Sequence, residues 1–255
     1  AVSIAVPTQY HKEVIELVSS AGLNFIVEKP LAGSYESSQY IHNLVKDLDL
    51  ISSVGHIERH NQVVRFAKER IVSKEWGNIK SMSARRFSSF PERINDVGVL
   101  FDLTIHDVDI LTYLINDDVE RVYTTGGKAK NQKHEDYINM SLNFSNGAIG
   151  LCQTNWLSPI KVRDLSIITD SHYIYLDYLK QEIRSISIGS ESSESKETVL
   201  KLDNIEPLKT ELSNFLSSIV SSKKPDVTIE DGMHAVKIVE AGLKSLKTGS
   251  VIKLK

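Results

Sequence analysis

A chain of 255 residues is long enough to bury a sizeable core and to form one or two domains. With 41% hydrophobic and 25% charged residues it has the composition of a soluble globular protein, which excludes a fibrous or disordered one. A net charge of -3 and a pI near 6.3 exclude the basic field that phosphate-backbone binding demands, so no nucleic-acid partner is expected.

No apolar run approaches the roughly 18 residues of a membrane span. Residues 1–8 carry neither a basic stretch nor a long apolar core, so no signal peptide is expected and a cytoplasmic location is inferred. The single cysteine, Cys152, forms no internal disulfide and reads as a core residue of a strand.

In chain order, residues 1–6 are a short apolar run closed by Pro7-Thr8, and a helical pattern through Tyr10, Val14, Ile15, Leu17 and Val18 ends at Gly22. A second apolar run over 24–27 ends in Glu28-Lys29-Pro30. Ser34 then caps another helical pattern through Ile41, Leu44, Val45 and Leu48, and 50–54 reads as a third strand. This alternation predicts parallel strands joined by helical crossovers. Ligands in such sheets sit beyond the carboxyl ends of the strands, where Pro7-Thr8, Glu28-Lys29-Pro30 and Gly55-His56 all fall.

After Gly55 the pattern changes. An amphipathic helix is expected over 59–72 and a strand over 80–88. The run from Phe101 to Leu114 then sets Asp102, His106 and Asp109 at i, i+4 and i+7, on one face of a helix, while Leu103, Ile105, Val108, Ile110, Leu111 and Leu114 bury the rest. An imidazole, with an unperturbed pKa of roughly 6.5, is a suitable proton acceptor beside carboxylates. The same spacing also describes a helix whose His and Asp make structural hydrogen bonds. Read as ligands of a divalent metal, Asp102, His106 and Asp109 would make a metal-dependent enzyme; that reading leaves Lys29 unexplained, and no metal is expected. His56-x-x-x-His60 has helical ligand spacing without the glutamate of the metalloprotease motif.

From Val119 the chain reads as consecutive strands over 121–125, 136–144, 148–156, 162–169, 173–178, 182–188 and 198–202, which predicts a large, mainly antiparallel sheet. Asn146-Gly147 predicts a two-residue hairpin turn, Gly126-Gly127 reads as a turn, and 189–195 as a polar turn. Helices are expected over 206–221 and 229–247, the second with Thr228 and Asp231 in capping-box positions, and a short strand over 251–254 closes the chain.

The ordered set Ile4-Ala5-Val6-Pro7-Thr8-x-x-His11, Glu28-Lys29-Pro30-Leu31-Ala32, Gly55-His56-x-x-Arg59-His60-Asn61, Asp102-x-x-x-His106-Asp107-x-Asp109 and Glu135-Asp136 to Asn146-Gly147 resembles the Gfo/Idh/MocA family of NAD(P)-dependent oxidoreductases over nearly the whole chain. Within it, Gln153-Thr154-Asn155-Trp156-Leu157-Ser158-Pro159-x-Lys161-x-Arg163 looks most like enzymes that oxidise the 3-hydroxyl of nucleotide sugars. The resemblance implies an NAD or NADP cofactor bordered by Pro7, Thr8, His11, Glu28 and Lys29. It implies that Lys29 stabilises the alkoxide, that His106 accepts the hydroxyl proton, and that Asp102 orients His106 and binds sugar hydroxyls. Arg86, Trp156 and Arg163, with Lys29, Asp102 and His106, form the expected substrate-binding set. Taken singly, Lys29 also fits a solvated lysine, Arg85-Arg86 and Lys161 with Arg163 a solvated strand face, and Trp156 sheet packing.

The family opens with a Gly-x-Gly-x-x-Gly turn that receives the pyrophosphate, and none of the 13 glycines forms one. About two βα units, on the order of 60 residues, are missing relative to that pattern, as in a fragment of a longer enzyme or a short relative that has lost the cofactor site. The fold class expected is therefore α/β, with part of a Rossmann-like parallel sheet in residues 1–55. An α+β domain over 56–255 follows, whose open antiparallel sheet packs on another subunit in a homodimer or tetramer. The function implied is hydride transfer between NAD(P) and a carbohydrate hydroxyl or ketone, with a nucleotide sugar as the finer substrate class. The alternative is a non-catalytic sugar-binding or assembly subunit.

Overall fold

The computed structural model describes residues 1–91, 97–130, 133–188 and 195–254. The chain forms two compact units, Ala1–His60 with Ile205–Glu240, and Asn61–Asn204 with Ala241–Lys255.

In the first unit, β1 (Val2–Ile4), α1 (His11–Ser20), β2 (Phe25–Glu28), α2 (Tyr35–Val45) and β3 (Ser52–Gly55) alternate as expected, and the three strands pair in parallel in the order β1-β2-β3. Phe25, Ile26 and Val27 are all buried in succession, the pattern of a strand covered on both faces. Helix α1 buries Ile15 and Val18, and α2 buries Ile41 and Val45. The Ser34 hydroxyl caps α2 by accepting the Ser37 amide at 3.2 Å.

The second unit contains α3 (Gln62–Val72), β4 (Ile79–Phe87), α4 (Ile105–Ile115) and the strands β5 (Val119–Gly127), β6 (Tyr137–Phe144), β7 (Ile149–Asn155), β8 (Val162–Thr169), β9 (His172–Asp177), β10 (Glu182–Ser187) and β11 (Glu197–Lys201). Helices α5 (Pro207–Ser221) and α6 (Ile229–Thr248) and the short β12 (Ile252–Lys253) complete the chain. The nine strands run in the order β11-β10-β9-β8-β4-β7-β6-β5-β12, and all pairs are antiparallel except β4 with β7. The sheet is thus large and mainly antiparallel, as the strand spacing implied. None of the helices among the described residues is long and apolar enough to cross a membrane.

Three local features differ from the sequence reading. Residues 205–240 pack with the first unit rather than the second. Contacts remote in sequence hold them there: the Ser53 hydroxyl donates to Val227 O at 2.8 Å, and Arg59 reaches Asp231 at 3.1 Å. The hairpin at Asn146-Gly147 has a three-residue loop, 145–147, because Phe144 pairs with Ala148 and only Gly147 takes a positive φ, +85°. Gly126 and Gly127 are the last residues of β5, paired with Ile138 and Tyr137, not a turn. The polar segment expected as a turn over 189–195 lies, apart from Ser195, outside the described residues. The capping box of α6 forms as expected: the Thr228 amide and hydroxyl donate to Asp231 at 2.8 and 2.7 Å, and the Asp231 amide returns a bond to the Thr228 hydroxyl. Burial raises the Asp231 carboxyl, but the Arg59 guanidinium and these Thr228 bonds outweigh it and hold the group below its ordinary value.

A buried ion pair and a buried carboxyl group bear on stability. Arg86 on β4 and Asp107 on α4 are each 2% exposed, and the guanidinium Nε and Nη2 donate to the carboxylate at 3.0 and 2.8 Å. Removing one partner leaves a buried charge. The variant Arg86→Met is therefore expected to lose about 3–5 kcal/mol of stability in chemical denaturation, and Arg86→Met with Asp107→Leu much less. In the first unit, Glu211 on α5 is 4% exposed; burial, with the charge of Glu28 adding to it, pushes its carboxyl up to about 8. A raised carboxyl contributes stability that is full below its unfolded value of about 4.3 and is lost as the pH rises through 8. The melting temperature of Glu211→Gln should accordingly gain on the wild type steadily from pH 5 to pH 8, and parallel pH profiles of the two proteins would contradict this.

Candidate active site

In the first unit the carboxyl edge of the parallel sheet collects the polar residues expected there. β1 runs through Pro7 into a single 3-10 turn, Thr8–Tyr10; β2 ends at Glu28, before a cis Lys29-Pro30 peptide; β3 ends at Gly55, before a 3-10 turn over Ile57–His60. Glu28 is exposed and Lys29 half-buried. Glu28 pairs in register with Gly55, and a Cβ on Gly55 would lie 3.4 Å from the Glu28 carboxylate. His56 lies just before this 3-10 turn and His60 at its end, not on one face of an α-helix.

His11 takes another place in this edge. Its ring is 1% exposed, with Nδ1 at 3.0 Å from Pro30 O and Nε2 at 3.0 Å from Val6 O. It ties the Pro7 loop to the Lys29-Pro30 loop and so positions Pro7, Thr8 and Lys29 through the backbone. Glu211, which sequence reasoning missed, is buried and electrostatically coupled to Glu28. A glutamate on an amphipathic helix gives no local sign of this, since Glu28 lies 183 positions away from Glu211 in the chain.

In the second unit, Asp102 lies in a π-helical segment, Leu100–Thr104, that runs directly into α4, where His106 stands. The Ile105 amide reaches back five residues to Leu100 O. Such wide turns recur at functional positions, and no side-chain periodicity announces one. Asp102 and His106 are half-buried while Leu100, Phe101, Thr104, Ile105, Val108 and Asp109 are buried, which leaves Asp102 and His106 as the accessible pair and Asp109 in the core. Leu103, expected in the core, is half-buried. Among the described residues no three His, Cys, Asp or Glu are placed to share a metal ion.

The remaining substrate candidates sit on the sheet. Arg86 turns to Asp107, and Arg163, its partner across β4 and β8, is half-buried on the same face. Trp156 is buried against Phe90, edge to face at 5.8 Å, and its amide bonds to Asp136 O. Cys152 is buried near the Arg86–Asp107 pair; burial, then the Asp107 charge, pushes its thiol well up, which leaves it a protonated core residue. What the two accessible groups offer is chemical: a half-exposed imidazole able to take a proton, with a carboxylate one turn earlier able to accept hydroxyl hydrogen bonds.

Comparisons with known proteins agree with this architecture. Residues 1–56 match the model of the oxidoreductase family with an NAD-binding Rossmann fold, and 64–173 match the GFO/IDH/MocA C-terminal domain. The UDP-N-acetylglucosamine 3-dehydrogenase of Acidithiobacillus ferrooxidans is 23% identical over 248 residues, covering 96% of this chain and 77% of that protein. The scyllo-inositol 2-dehydrogenase (NAD(+)) of Bacillus subtilis is 28% identical over 265 residues, covering 100% of this chain and 77% of that protein. A levoglucosan dehydrogenase in complex with NADH and levoglucosan superposes with a TM-score of 0.90 at 20% identity, covering 99% of this chain and 79% of that one, which shows the shared fold. With both family models matched in order along the chain, this protein belongs to the GFO/IDH/MocA family of NAD-binding oxidoreductases.

Proposed function

We propose that the protein interconverts a carbohydrate hydroxyl and ketone with NAD or NADP as its cofactor, a nucleotide sugar being the finer substrate class. The observation that carries the reading is the carboxyl edge of the parallel sheet, where the Pro7-Thr8 loop, Glu28 and Lys29 stand together, held by His11. These residues fit the ribose and nicotinamide end of a dinucleotide: Glu28 is an exposed carboxylate that accepts ribose hydroxyls, Thr8 a hydroxyl, and Val6 and Pro7 an exposed apolar surface. The cofactor, when bound, supplies the hydride acceptor or donor.

The chain's own residues do the rest. Lys29 stabilises negative charge on the substrate oxygen as the hydroxyl becomes a ketone. His106 accepts the hydroxyl proton, and Asp102 orients the substrate by hydrogen bonds to neighbouring hydroxyls. Arg163 supplies a cation for the diphosphate of a nucleotide sugar. Arg86 and Trp156 are engaged by Asp107 and Phe90 and serve the packing of the second unit. The location we infer is cytoplasmic.

The second unit also suggests self-association. One face of its sheet is covered by helices, and the other exposes Tyr137, Ile149, Ile168 and Tyr173 around the pair of Arg85 with Asp164, at 2.7 and 2.8 Å. We read this face as the contact of a homodimer or tetramer.

Titration with NADH and NADPH, followed by nicotinamide fluorescence, tests the cofactor assignment. Failure of both nucleotides to bind the purified protein would replace this reading with that of a sugar-binding subunit. With UDP-N-acetylglucosamine, scyllo-inositol and levoglucosan as probe substrates, Lys29→Met and His106→Ala should each lower kcat by about 100- to 10,000-fold with the fold intact by circular dichroism. Wild-type rates in either variant would refute the assigned roles. For the sheet contact, Ile168→Glu with Tyr173→Glu should reduce the sedimenting species to one chain, whereas a wild-type protein that already sediments as one chain excludes the contact.

A further inference from the structure

The π-helical segment that carries Asp102 begins against a carboxylate to which no role has been given. The Leu100 amide donates to Glu135 Oε1 at 3.1 Å, the Val99 amide to Glu135 O at 3.1 Å, and the Asp102 amide to Gly98 O at 3.1 Å. The first turn of any helix leaves its amides without partners inside the helix, and here one residue, 35 positions away in sequence, satisfies two of them. The bond to the side chain is charge-assisted and lies where the helix dipole favours a negative group.

Glu135 is itself held in place. It is 6% exposed, and a carboxyl group at this depth needs hydrogen-bond partners. Its neighbour Asp136 is fully buried and accepts the Ala129 amide at 2.9 Å and the Lys130 amide at 2.6 Å, while Asp136 O accepts the Trp156 amide at 2.9 Å. The junction before β6 is thereby fixed to the end of β5 and to the residue after β7. Space is reserved on the helix side as well: a Cβ on Gly98 would stand 2.1–2.4 Å from the Glu135 carboxyl atoms, so any larger residue there must displace the carboxylate.

We propose that Glu135 is a positioning residue, whose carboxylate on the Leu100 amide holds the wide turn that sets Asp102 in phase with His106. A π turn is the less common alternative to an α turn of the same chain and persists where its surroundings specify it. Relaxation to α spacing rotates Asp102 relative to His106 by up to about 100°, the arc of one α-helical residue. The sheet junction thus decides where a carboxylate on the helix points. The inference rests on the reading that Asp102 and His106 act on substrate, and its test is separable from that reading.

The test compares Glu135→Ala, Glu135→Gln and Gly98→Ala with the wild type. Glutamine keeps an oxygen acceptor for the Leu100 amide; alanine at 98 keeps the charge but displaces the carboxylate. Two readouts are taken: the ¹⁵N shifts of the His106 ring at one fixed pH, assigned with His106→Ala, and kcat and KM with the probe substrates. Glu135→Ala and Gly98→Ala should both move the His106 ring signals and lower kcat by about 100-fold with little change in KM, the cost of a small misplacement. Glu135→Gln should restore both. Wild-type ring signals and kcat in folded Glu135→Ala or Gly98→Ala overturn the proposal, as does a glutamine variant as impaired as the alanine. If alanine at 135 does not fold, Gly98→Ala and the glutamine variant decide by the same signals. If no protein turns over any probe, the failure is that of the activity reading, and the His106 ring shifts still decide the role of Glu135.

Discussion

The second unit depends on one interaction, the buried pair between Arg86 and Asp107. Arg86 stands on β4, at the centre of the nine-stranded sheet, and Asp107 is the residue after His106. With both charges out of water, the pair is satisfied in one geometry only, and that geometry sets the rotation of α4 about its own axis. Asp107 turns down onto the sheet, and the next position back, about 100° around the helix, is His106, which is left half-buried at the accessible side. A purely apolar helix face tolerates small rotations because its contacts are interchangeable; a bidentate ion pair does not.

The start of the same helix is governed from another direction. Glu135 meets the Leu100 and Val99 amides, and the chain between them widens into a π turn before α4 becomes regular. The accessible pair Asp102 and His106 is therefore framed by two carboxylates that themselves are buried, Glu135 before it and Asp107 beneath it. Both stand in motifs quoted from the sequence, but the motifs do not show what either one touches, since each acts through a partner brought in by the fold.

The first unit uses parallel-sheet geometry for a comparable end. Parallel strands place three successive loops at one edge, and His11, by reaching main-chain carbonyls of two of them, converts separate loops into one surface. α5 and the start of α6 complete this unit, and with them come Asp231, which holds Arg59, and Glu211, which lies near the exposed Glu28.

The sequence by itself determined the alternation of strand and helix over the first 55 residues, the succession of antiparallel strands after 119, the cap at Ser34 and the box at Thr228 and Asp231. It also determined the family, through the order of Pro7-Thr8, Glu28-Lys29-Pro30 and Asp102-x-x-x-His106. These are local signals: periodicity reports which face is apolar, and a cap needs only residues three apart. Only the tertiary structure decided that Arg86 meets Asp107, that His11 is buried between loops, that residues 205–240 join the first unit, and that a π turn precedes His106. The reason is the same in each case. A polar side chain in the sequence announces that it needs a partner, but which donor or acceptor satisfies it is settled by chain segments tens to hundreds of residues away, once they are packed together and water is excluded.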